Sequence, residues 1–338
     1  MDIELLNKLA KAYGLKGLKL VGRVKHGVLS NNYIVQASGV KYFLKHYRVT
    51  VAGRVQYVHQ AKQIFYKYGV PVVLPLPTKS GVTYVKLGKD AYALFPYINS
   101  KQVVNGHELN TQQIQNVARM LAHMHGLSRQ RLPKVASVGV TPWSAGYVKK
   151  LKQDFVLGAN EMLAIIRAKK RKTQFDLQAE RGLVLKLRLL NDMPIAFNMR
   201  KLGKPHFLHG DFHQRNVFFN PDNTVSHVFD FEKSDIQPRA FEVVRSINII
   251  FFSEEFNIKN FRRAHIYLSA YCNVYTIPKS EIISAVQISY YRHILSLWIE
   301  REHYKNYDFR PDKFLSGNIL YLKYFHRHGS EEFVDKIW

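Results

Sequence analysis

The sequence predicts an α+β protein with a small β-rich lobe at its N-terminus and a larger, mainly helical lobe at its C-terminus. Residues 18–95 contain short runs of β-branched and aromatic residues separated by turn-forming residues, as is typical of strands. Most of the later chain has apolar residues at helical spacing. The chain has 338 residues, 46% of them hydrophobic, which exceeds the length at which one core usually divides. We therefore expect two lobes, residues 1–95 and 96–338.

The N-terminal lobe is expected to be a sheet with two helices. Apolar residues at helical spacing predict a surface helix at the start of the chain and a second helix that ends at Gly69. The buried side of the second helix is assigned to Val55, Val58, Ile64, Phe65 and Tyr68. The predicted helices are 2–13 and 54–68, and the predicted strands are 18–25, 32–37, 41–47, 70–76, 82–86 and 92–95.

The C-terminal lobe is expected to be built from helices around one hairpin. Asn110 or Thr111 can cap the first helix, and Gly126 is expected to end it. Residues 140–204 are the hardest to interpret, because a basic run interrupts their helical pattern. The predicted helices are 111–125, 145–167, 174–190, 259–275, 279–300 and 311–328.

A polar constellation surrounds the predicted hairpin of residues 217–231. Asp211 precedes the hairpin, Asn216 opens it and Asp230 lies on its return strand between apolar residues. A carboxylate in such a strand is costly to bury unless it is paired or bound to a cation. Phosphoryl transfer needs a carboxylate that accepts a hydroxyl proton and oxygen ligands that hold Mg²⁺. The pattern therefore favours a phosphotransferase.

Two other interpretations of these residues remain open. Asp211 and Asn216 can simply cap turns while Asp230 is a paired core acid. A zinc cluster of His206, His209, Asp211 and His213 is also conceivable, but it leaves Asn216 and Asp230 unexplained.

The segment resembles the catalytic loop of a known family. His209-Gly210-Asp211 is followed at the kinase spacing by Asn216, and Asp230-Phe231-Glu232 stands where protein kinases have Asp-Phe-Gly. A second mark is Leu121-Ala122-x-Met124-His125, at the end of a predicted helix. These motifs resemble the aminoglycoside phosphotransferase and choline kinase group of small-molecule kinases. The resemblance implies a two-lobed, protein-kinase-like fold and ATP-dependent phosphorylation of a small-molecule hydroxyl.

The resemblance also implies roles for the loop residues. Asp211 would orient and deprotonate the acceptor hydroxyl, and His209 would brace the loop. His213 would approach the γ-phosphate or the acceptor. Asn216 and Asp230 would hold Mg²⁺.

Further roles are implied for the N-terminal lobe. Lys45 would contact the α- and β-phosphates of ATP, and Ser30 and Asn32 would hydrogen-bond phosphate. The hinge at Phe95–Ile98, with Phe95 and Ile98 at its ends, would bind adenine through its backbone. Whether the nucleotide is ATP or GTP is left open.

The chain departs from the family in the helix of residues 54–68. The family has a glutamate there that pairs with the strand lysine, whereas here Gln60, or less favourably His59, is expected at that position. Lys45 would then rely on nucleotide phosphate. A binding protein with a kinase fold and no catalysis is therefore one alternative function.

Composition adds limits on partners and location. The net charge is +25, and residues 5–89 contain no Asp or Glu, which indicates anionic ligands. A basic nucleic-acid-binding protein is the second alternative, although the aromatic residues are at core spacing. The chain has one cysteine, Cys272, and no apolar run of about 18 residues. We expect a cytoplasmic protein without a membrane span, whose oligomeric state and acceptor the sequence leaves open.

Overall fold

The computed structural model describes residues 2–24, 31–47, 52–100, 102–131 and 143–338. As predicted, the fold is α+β, with an antiparallel sheet in the N-terminal part and helices in most of the C-terminal part. Within the described ranges, no helix is both long and apolar enough to cross a membrane.

The N-terminal part is a five-stranded antiparallel sheet with a helix on each side. The strand order is β1-β2-β3-β5-β4, so the strands that carry the predicted nucleotide residues lie at its centre. The elements are α1 (Ile3–Tyr13), β1 (Lys19–Val24), β2 (Asn31–Ala37), β3 (Val40–Tyr47), α2 (Ala52–Lys67), β4 (Val85–Leu87) and β5 (Asp90–Pro96).

The two faces of this sheet bury different partners, because successive strand residues point to opposite faces. Val35 and Leu44 lie on the face that packs against Leu6 and Leu9 of α1. Lys45, the neighbour of Leu44, therefore lies on the opposite face, which is turned towards α2 and the helical lobe. Strand alternation thus directs Lys45 into the cleft.

The strand predicted over residues 70–76 is absent from the described structure. Only Val72 forms an isolated bridge there, with Val228 of the helical lobe. Pro71 and Pro75 lack the N–H groups that a ladder requires, which explains the wrong prediction. The strand predicted over 82–86 is shifted to Val85–Leu87.

The C-terminal part combines two small antiparallel sheets with helices. The strands that flank the loop of residues 209–216 pair as β6 with β9 and β7 with β8. The helices are α3 (Thr111–Arg131), α4 (Ala145–Arg167), α5 (Gln174–Leu189), α6 (Arg239–Phe251), α7 (Ile258–Cys272), α8 (Lys279–Leu295), α9 (Trp298–Lys305) and α10 (Leu315–Ile337), and the strands are β6 (Pro205–Leu208), β7 (Val217–Phe219), β8 (Val225–Val228) and β9 (Asp235–Pro238).

Three of the predicted helices differ most from the structure. Helix α3 continues through Gly126, whose backbone is not left-handed. The single helix predicted over 279–300 is two helices, because Ser296 is extended. Helix α10 begins and ends later than predicted and is interrupted at Gly329, where φ is 73°.

The core of the helical lobe extends into the N-terminal part. Val58 and Phe65 of α2 belong to the same buried cluster as residues of α3, α6 and α8. Ile64 and Tyr68, predicted to be buried, are only partly buried and exposed, respectively. Helix α2 therefore rests on the helical lobe and lies beside the cleft that contains Lys45.

Candidate active site

The loop between β6 and β7 is held in place by a glycine and a buried glutamate. Gly210 has a φ of 84°, and a Cβ on it would lie 2.1 Å from the carbonyl oxygen of Lys233. Only glycine fits such a close approach without strain. Glu242 of α6 accepts hydrogen bonds from the backbone N–H groups of His209, at 2.9 Å, and of Gly210. The position of the loop is thus determined by contacts of its backbone with Glu242 and Lys233.

Glu242 is itself held by His125, the histidine near the end of α3. The Nε2 atom of His125 lies 3.0 Å from Glu242, and its Nδ1 atom lies 2.8 Å from the Tyr271 hydroxyl. Burial disfavours the charged carboxylate, but the hydrogen bond from His125 keeps the pKa of Glu242 below its usual value. Both residues support the loop from within the core.

His209 links the loop to the residue before Asp230. Its Nε2–H donates to the carbonyl oxygen of Phe229 at 2.8 Å, and its Nδ1 accepts from the N–H of Asp211 at 3.3 Å. Burial lowers the pKa of His209, which favours the neutral ring that these two bonds require. The ring therefore contacts backbone on both sides.

Asp211 is the most heavily paired carboxylate of the site. Its Oδ1 accepts from Arg245 Nε at 3.1 Å, and its Oδ2 accepts from Lys233 Nζ at 2.9 Å. His213 Nε2 lies 3.8 Å from Oδ1. Burial opposes the charge of the carboxylate, but His213, Arg245 and Lys233 hold the pKa of Asp211 well below its usual range. Asp211 is therefore ionised at neutral pH.

Asn216 is positioned by the same loop. Its side-chain N–H donates to the backbone carbonyl oxygen of Asp211 at 2.7 Å, and its own backbone carbonyl oxygen accepts from the N–H of Phe229 at 3.1 Å. Its side-chain Nδ2 also lies 3.4 Å from His213 Nε2. Asn216 thus lies between the loop and the segment that carries Asp230.

Asp230 follows strand β8 instead of lying on it, because β8 ends at Val228. Its backbone is left-handed, with a φ of 65°, which is uncommon for a residue with a side chain. Burial and the negative charge of Asp211 both act to raise the pKa of Asp230, but Lys45 outweighs them and the pKa is lowered. The two carboxylates therefore share one site.

Lys45, on strand β3, contacts this site from the side of the sheet. Its Nζ lies 2.6 Å from Asp230 Oδ1 and 3.2 Å from Glu232 Oε1. Burial disfavours the ammonium group, but the two carboxylates raise the pKa of Lys45 above its usual value. Asn32 is paired with Lys45 across β2 and β3, so the two side chains share a face. The expectation that Lys45 relies on nucleotide phosphate alone is wrong, since the helical lobe supplies two carboxylates.

At the position expected to pair with Lys45, helix α2 offers no acid, and the charged residue that it buries is Lys62. Gln60 is exposed and points away, so its assignment to that position is wrong. His59 is buried between the hydroxyls of Tyr47 and Thr83. Lys62 is 3% exposed, and its Nζ lies 4.5 Å from the ring centre of Phe95 and 5.3 Å from that of Phe231. Burial, and then the charge of Lys45, lowers the pKa of Lys62 to about 7.

Of the remaining residues predicted to bind the nucleotide, two lie within the described structure and one does not. Phe95 is buried at the end of β5, and Ile98 is half-buried in the same cluster. Ser30 lies outside the described residues, as does most of the loop before Asn31.

Asn216 and Asp230 each have a side-chain oxygen of the type that binds a divalent cation. No described group donates to Asn216 Oδ1, and Lys45 occupies only one oxygen of Asp230. Amide and carboxylate oxygens suit Mg²⁺, which also takes ligands from nucleotide phosphates. In the part of the chain that the structure describes, no three His, Cys, Asp or Glu side chains form a metal cluster. The zinc interpretation is not supported, since His206 bonds Lys204 and Tyr275 instead.

Three basic residues of the site were missed by sequence reasoning. Lys62 had a signal, because it continues the spacing of Val55 and Val58 on the buried stripe of α2. Lys233 and Arg245 had none, since only the folded chain brings them to Asp211.

Comparisons with known proteins agree on the family and the fold. The model described as "Phosphotransferase enzyme family" matches residues 21–273, about three quarters of the chain. No curated protein matches.

Several solved structures resemble the chain over nearly its whole length. One is an aminoglycoside phosphotransferase from Alicyclobacillus acidocaldarius, 16% identical, with a TM-score of 0.59 over 100% of this chain and 95% of that one. A choline kinase from Cryptosporidium parvum is 12% identical, with a TM-score of 0.59 over 97% and 98%.

A third is the amicoumacin kinase hAmiN in complex with AMP-PNP, Ca²⁺ and Ami. It is 12% identical, with a TM-score of 0.62 over 99% of this chain and 94% of that one. At these identities the likeness shows the fold, which is the two-lobed, protein-kinase-like fold expected from the loop motifs.

Proposed function

The chain belongs to the phosphotransferase enzyme family, and from that premise we propose that it transfers the γ-phosphoryl group of ATP to a hydroxyl group of a small molecule, with Mg²⁺ as cofactor. The observation that carries this proposal is the convergence of Asp211, Asn216 and Asp230 beside Lys45. One loop, one short hairpin and the central strand of the sheet bring these four residues together across the cleft.

Asp211 is proposed to act on the acceptor. It orients the hydroxyl and accepts its proton as the hydroxyl oxygen forms a bond to the γ-phosphorus. The bond between that phosphorus and the β-phosphate oxygen breaks, and the products are a phosphate ester and ADP. The low pKa of Asp211 makes it a weak base, so positioning of the hydroxyl is its larger contribution.

Lys45 and the hinge are proposed to hold the nucleotide. Lys45 contacts the α- and β-phosphates while it remains near Asp230, and Asn32 on the same sheet face contacts phosphate. The backbone of Phe95–Ile98 binds the base and separates the lobes at residues 95 and 96. Ser30 is proposed to contact phosphate as well.

Asn216 and Asp230 are proposed to hold the magnesium ion, because each has a side-chain oxygen that no described residue occupies. Mg²⁺ would supply neutralisation of phosphate charge there. His209 keeps the loop in register with this pair, and His213 lies beside Asp211 on the acceptor side.

An ADP-release screen tests this function. The protein is incubated with Mg·ATP and a panel of alcohols, amino alcohols, sugars and hydroxy acids. We expect acceptor-dependent ADP formation that Asp211→Asn reduces by at least about 100-fold without weakening ATP binding. If Asp211→Asn formed ADP at the wild-type rate, Asp211 would not be the residue that orients and deprotonates the acceptor hydroxyl.

A nucleotide-binding protein without transfer is the second candidate. The observation that favours it is Lys62, a lysine in the region where the family has its helix glutamate. Stabilisation by Mg·ATP with no ADP from any acceptor would support this candidate over catalysis.

A further inference from the structure

A small cavity opens between helix α4, strand β9 and helix α8. Its volume is about 230 Å³, below the roughly 300–1,000 Å³ typical of sites for drug-sized ligands. Such a space suits a small metabolite better than a multi-ring antibiotic. The lining residues are Trp143, Tyr147, Leu151, Gln237, Arg292 and Leu295.

One charged group of this cavity is available to a ligand. The guanidinium of Arg292 lies 4.3 Å from the ring centre of Phe241, and no described residue accepts a hydrogen bond from it. Stacking on an aromatic ring orients a guanidinium group, whose N–H groups then bind a carboxylate or a phosphate.

The cavity lies on the side of the molecule that carries Asp211. Arg292 lies over the ring of Phe241 on α6, and Arg245, one turn later on the same helix, contacts Asp211. Lys233 is the other cation on Asp211. Positive charge is therefore present both in the cavity, on Arg292, and beside Asp211, on Arg245 and Lys233.

We propose that this cavity holds the acceptor, and that the acceptor is a small hydroxyl compound bearing a carboxylate or phosphate group. Arg292 binds the anionic group, Trp143 and Tyr147 enclose the carbon skeleton, and the hydroxyl reaches Asp211. This assignment rests on the proposed phosphotransferase function.

Charge argues against a cationic acceptor. An amino alcohol or an aminoglycoside carries ammonium groups, which are usually matched by carboxylates in the binding site. Among the residues that the structure describes, no Asp or Glu lines the cavity, and Arg292 would repel a cation in so small a space. An anionic acceptor also agrees with the excess of basic residues in the chain, whose net charge is +25.

Binding and turnover are measured separately on the full chain. Isothermal titration uses an anionic pool (glycerate, tartrate, glycerol 3-phosphate and glucose 6-phosphate) and a cationic pool (choline, ethanolamine and 1-amino-2-propanol). The proteins are wild type, Arg292→Met, Arg292→Lys and the control Arg327→Met. Arg327 is exposed on α10 and does not line the cavity. ADP release is recorded with the same pools.

We expect the anionic pool to bind and Arg292→Met to weaken this binding about 10-fold or more, because a charge-assisted contact is lost. Arg292→Lys should recover part of the affinity, and Arg327→Met should match wild type. For turnover, Arg292→Met should raise the acceptor KM and leave the ATP KM unchanged.

Three results would overturn the proposal: binding of the cationic pool alone, no binding of either pool, or anion binding that Arg292→Met does not change. Anion binding through Arg292 without ADP formation would keep the cavity assignment and remove the phosphotransferase function. ADP formation with amino alcohols alone would keep the function and remove the anionic acceptor.

Discussion

Lys45 on strand β3 and Asp230 in the helical lobe form an ion pair across the cleft, with Nζ 2.6 Å from Oδ1. The pair takes the place of the contact between strand lysine and helix glutamate that is expected in this family. It also orients Lys45 towards the proposed phosphate site without help from α2. The absence of an acid on α2 is therefore compatible with an ordered nucleotide lysine.

Replacing Lys62 with methionine should stabilise the protein by about 1–3 kcal/mol at pH 7, because an ammonium group without a carboxylate partner is costly to bury. The pKa of Lys62 is lowered to about 7 in the folded state, whereas the unfolded lysine titrates near about 10.4. Between these values the unfolded chain binds more protons, so wild-type stability rises with pH. The difference in the free energy of unfolding between Lys62→Met and wild type should therefore decrease as the pH rises.

Urea unfolding at pH 6.5 and pH 9.5 measures this difference. Lys67→Met, at an exposed position on the same helix, is the control and should change stability little at either pH. A destabilised Lys62→Met variant would contradict the unpaired environment described for Lys62.

Gly210→Ala should destabilise the protein by more than about 2 kcal/mol and disorder the loop of residues 209–216. The added Cβ would meet the carbonyl of Lys233, and the φ of 84° disfavours any side chain. Gly126→Ala is the matched control, since Gly126 lies in helix α3 and, beyond the adjacent helix backbone, no described residue has an atom within 4 Å of its Cβ position. That change should stabilise by about 0.5–1 kcal/mol. Thermal unfolding of both variants distinguishes the two effects, and a neutral Gly210→Ala would show that the loop is not tightly packed.

Glu242→Gln should destabilise the protein by about 2–4 kcal/mol at pH 7. The carboxylate accepts from two loop N–H groups and from His125, and an amide cannot satisfy all three donors. The folded pKa of Glu242 is lowered, so its stabilising effect is complete above the unfolded value of about 4.3 and is lost as pH falls through the folded value.

Chemical denaturation of Glu242→Gln at pH 7 and pH 3.5 should therefore show a large deficit that narrows in acid. The exposed Glu254→Gln serves as the control and should match wild type at both pH values. An equal deficit at both pH values would mean that the charge of Glu242 does not matter.

Local spacing in the sequence was enough to predict the grouping of Asp211, Asn216 and Asp230. Each lies within a few residues of a turn or strand end, so short-range structure determines their separation. The helices of residues 145–167 and 174–189 were also predictable, because their apolar period is regular and Ser144 and Thr173 cap them.

The basic surroundings of the site could not be predicted in the same way. Arg245 reaches Asp211 only because Glu242, one turn earlier on α6, anchors that helix face to the loop. Arg292 lies about 80 residues beyond Asp211, and its position depends on how α8 packs against α6. The strand prediction for residues 70–76 was wrong for a local reason. The prolines of this segment cannot donate the hydrogen bonds of a strand, although its β-branched residues favour one.

Isothermal titration with Mg·ATP tests the central claim most directly, because it requires no knowledge of the acceptor. The variants are Asp230→Asn and Lys45→Met, with the exposed Lys86→Met as control and unfolding curves to confirm that each variant is folded. We predict that wild type and Lys86→Met bind Mg·ATP alike and that Asp230→Asn and Lys45→Met bind at least about 10-fold more weakly. Failure of wild type to bind Mg·ATP, or unchanged binding by both site variants, would contradict the account.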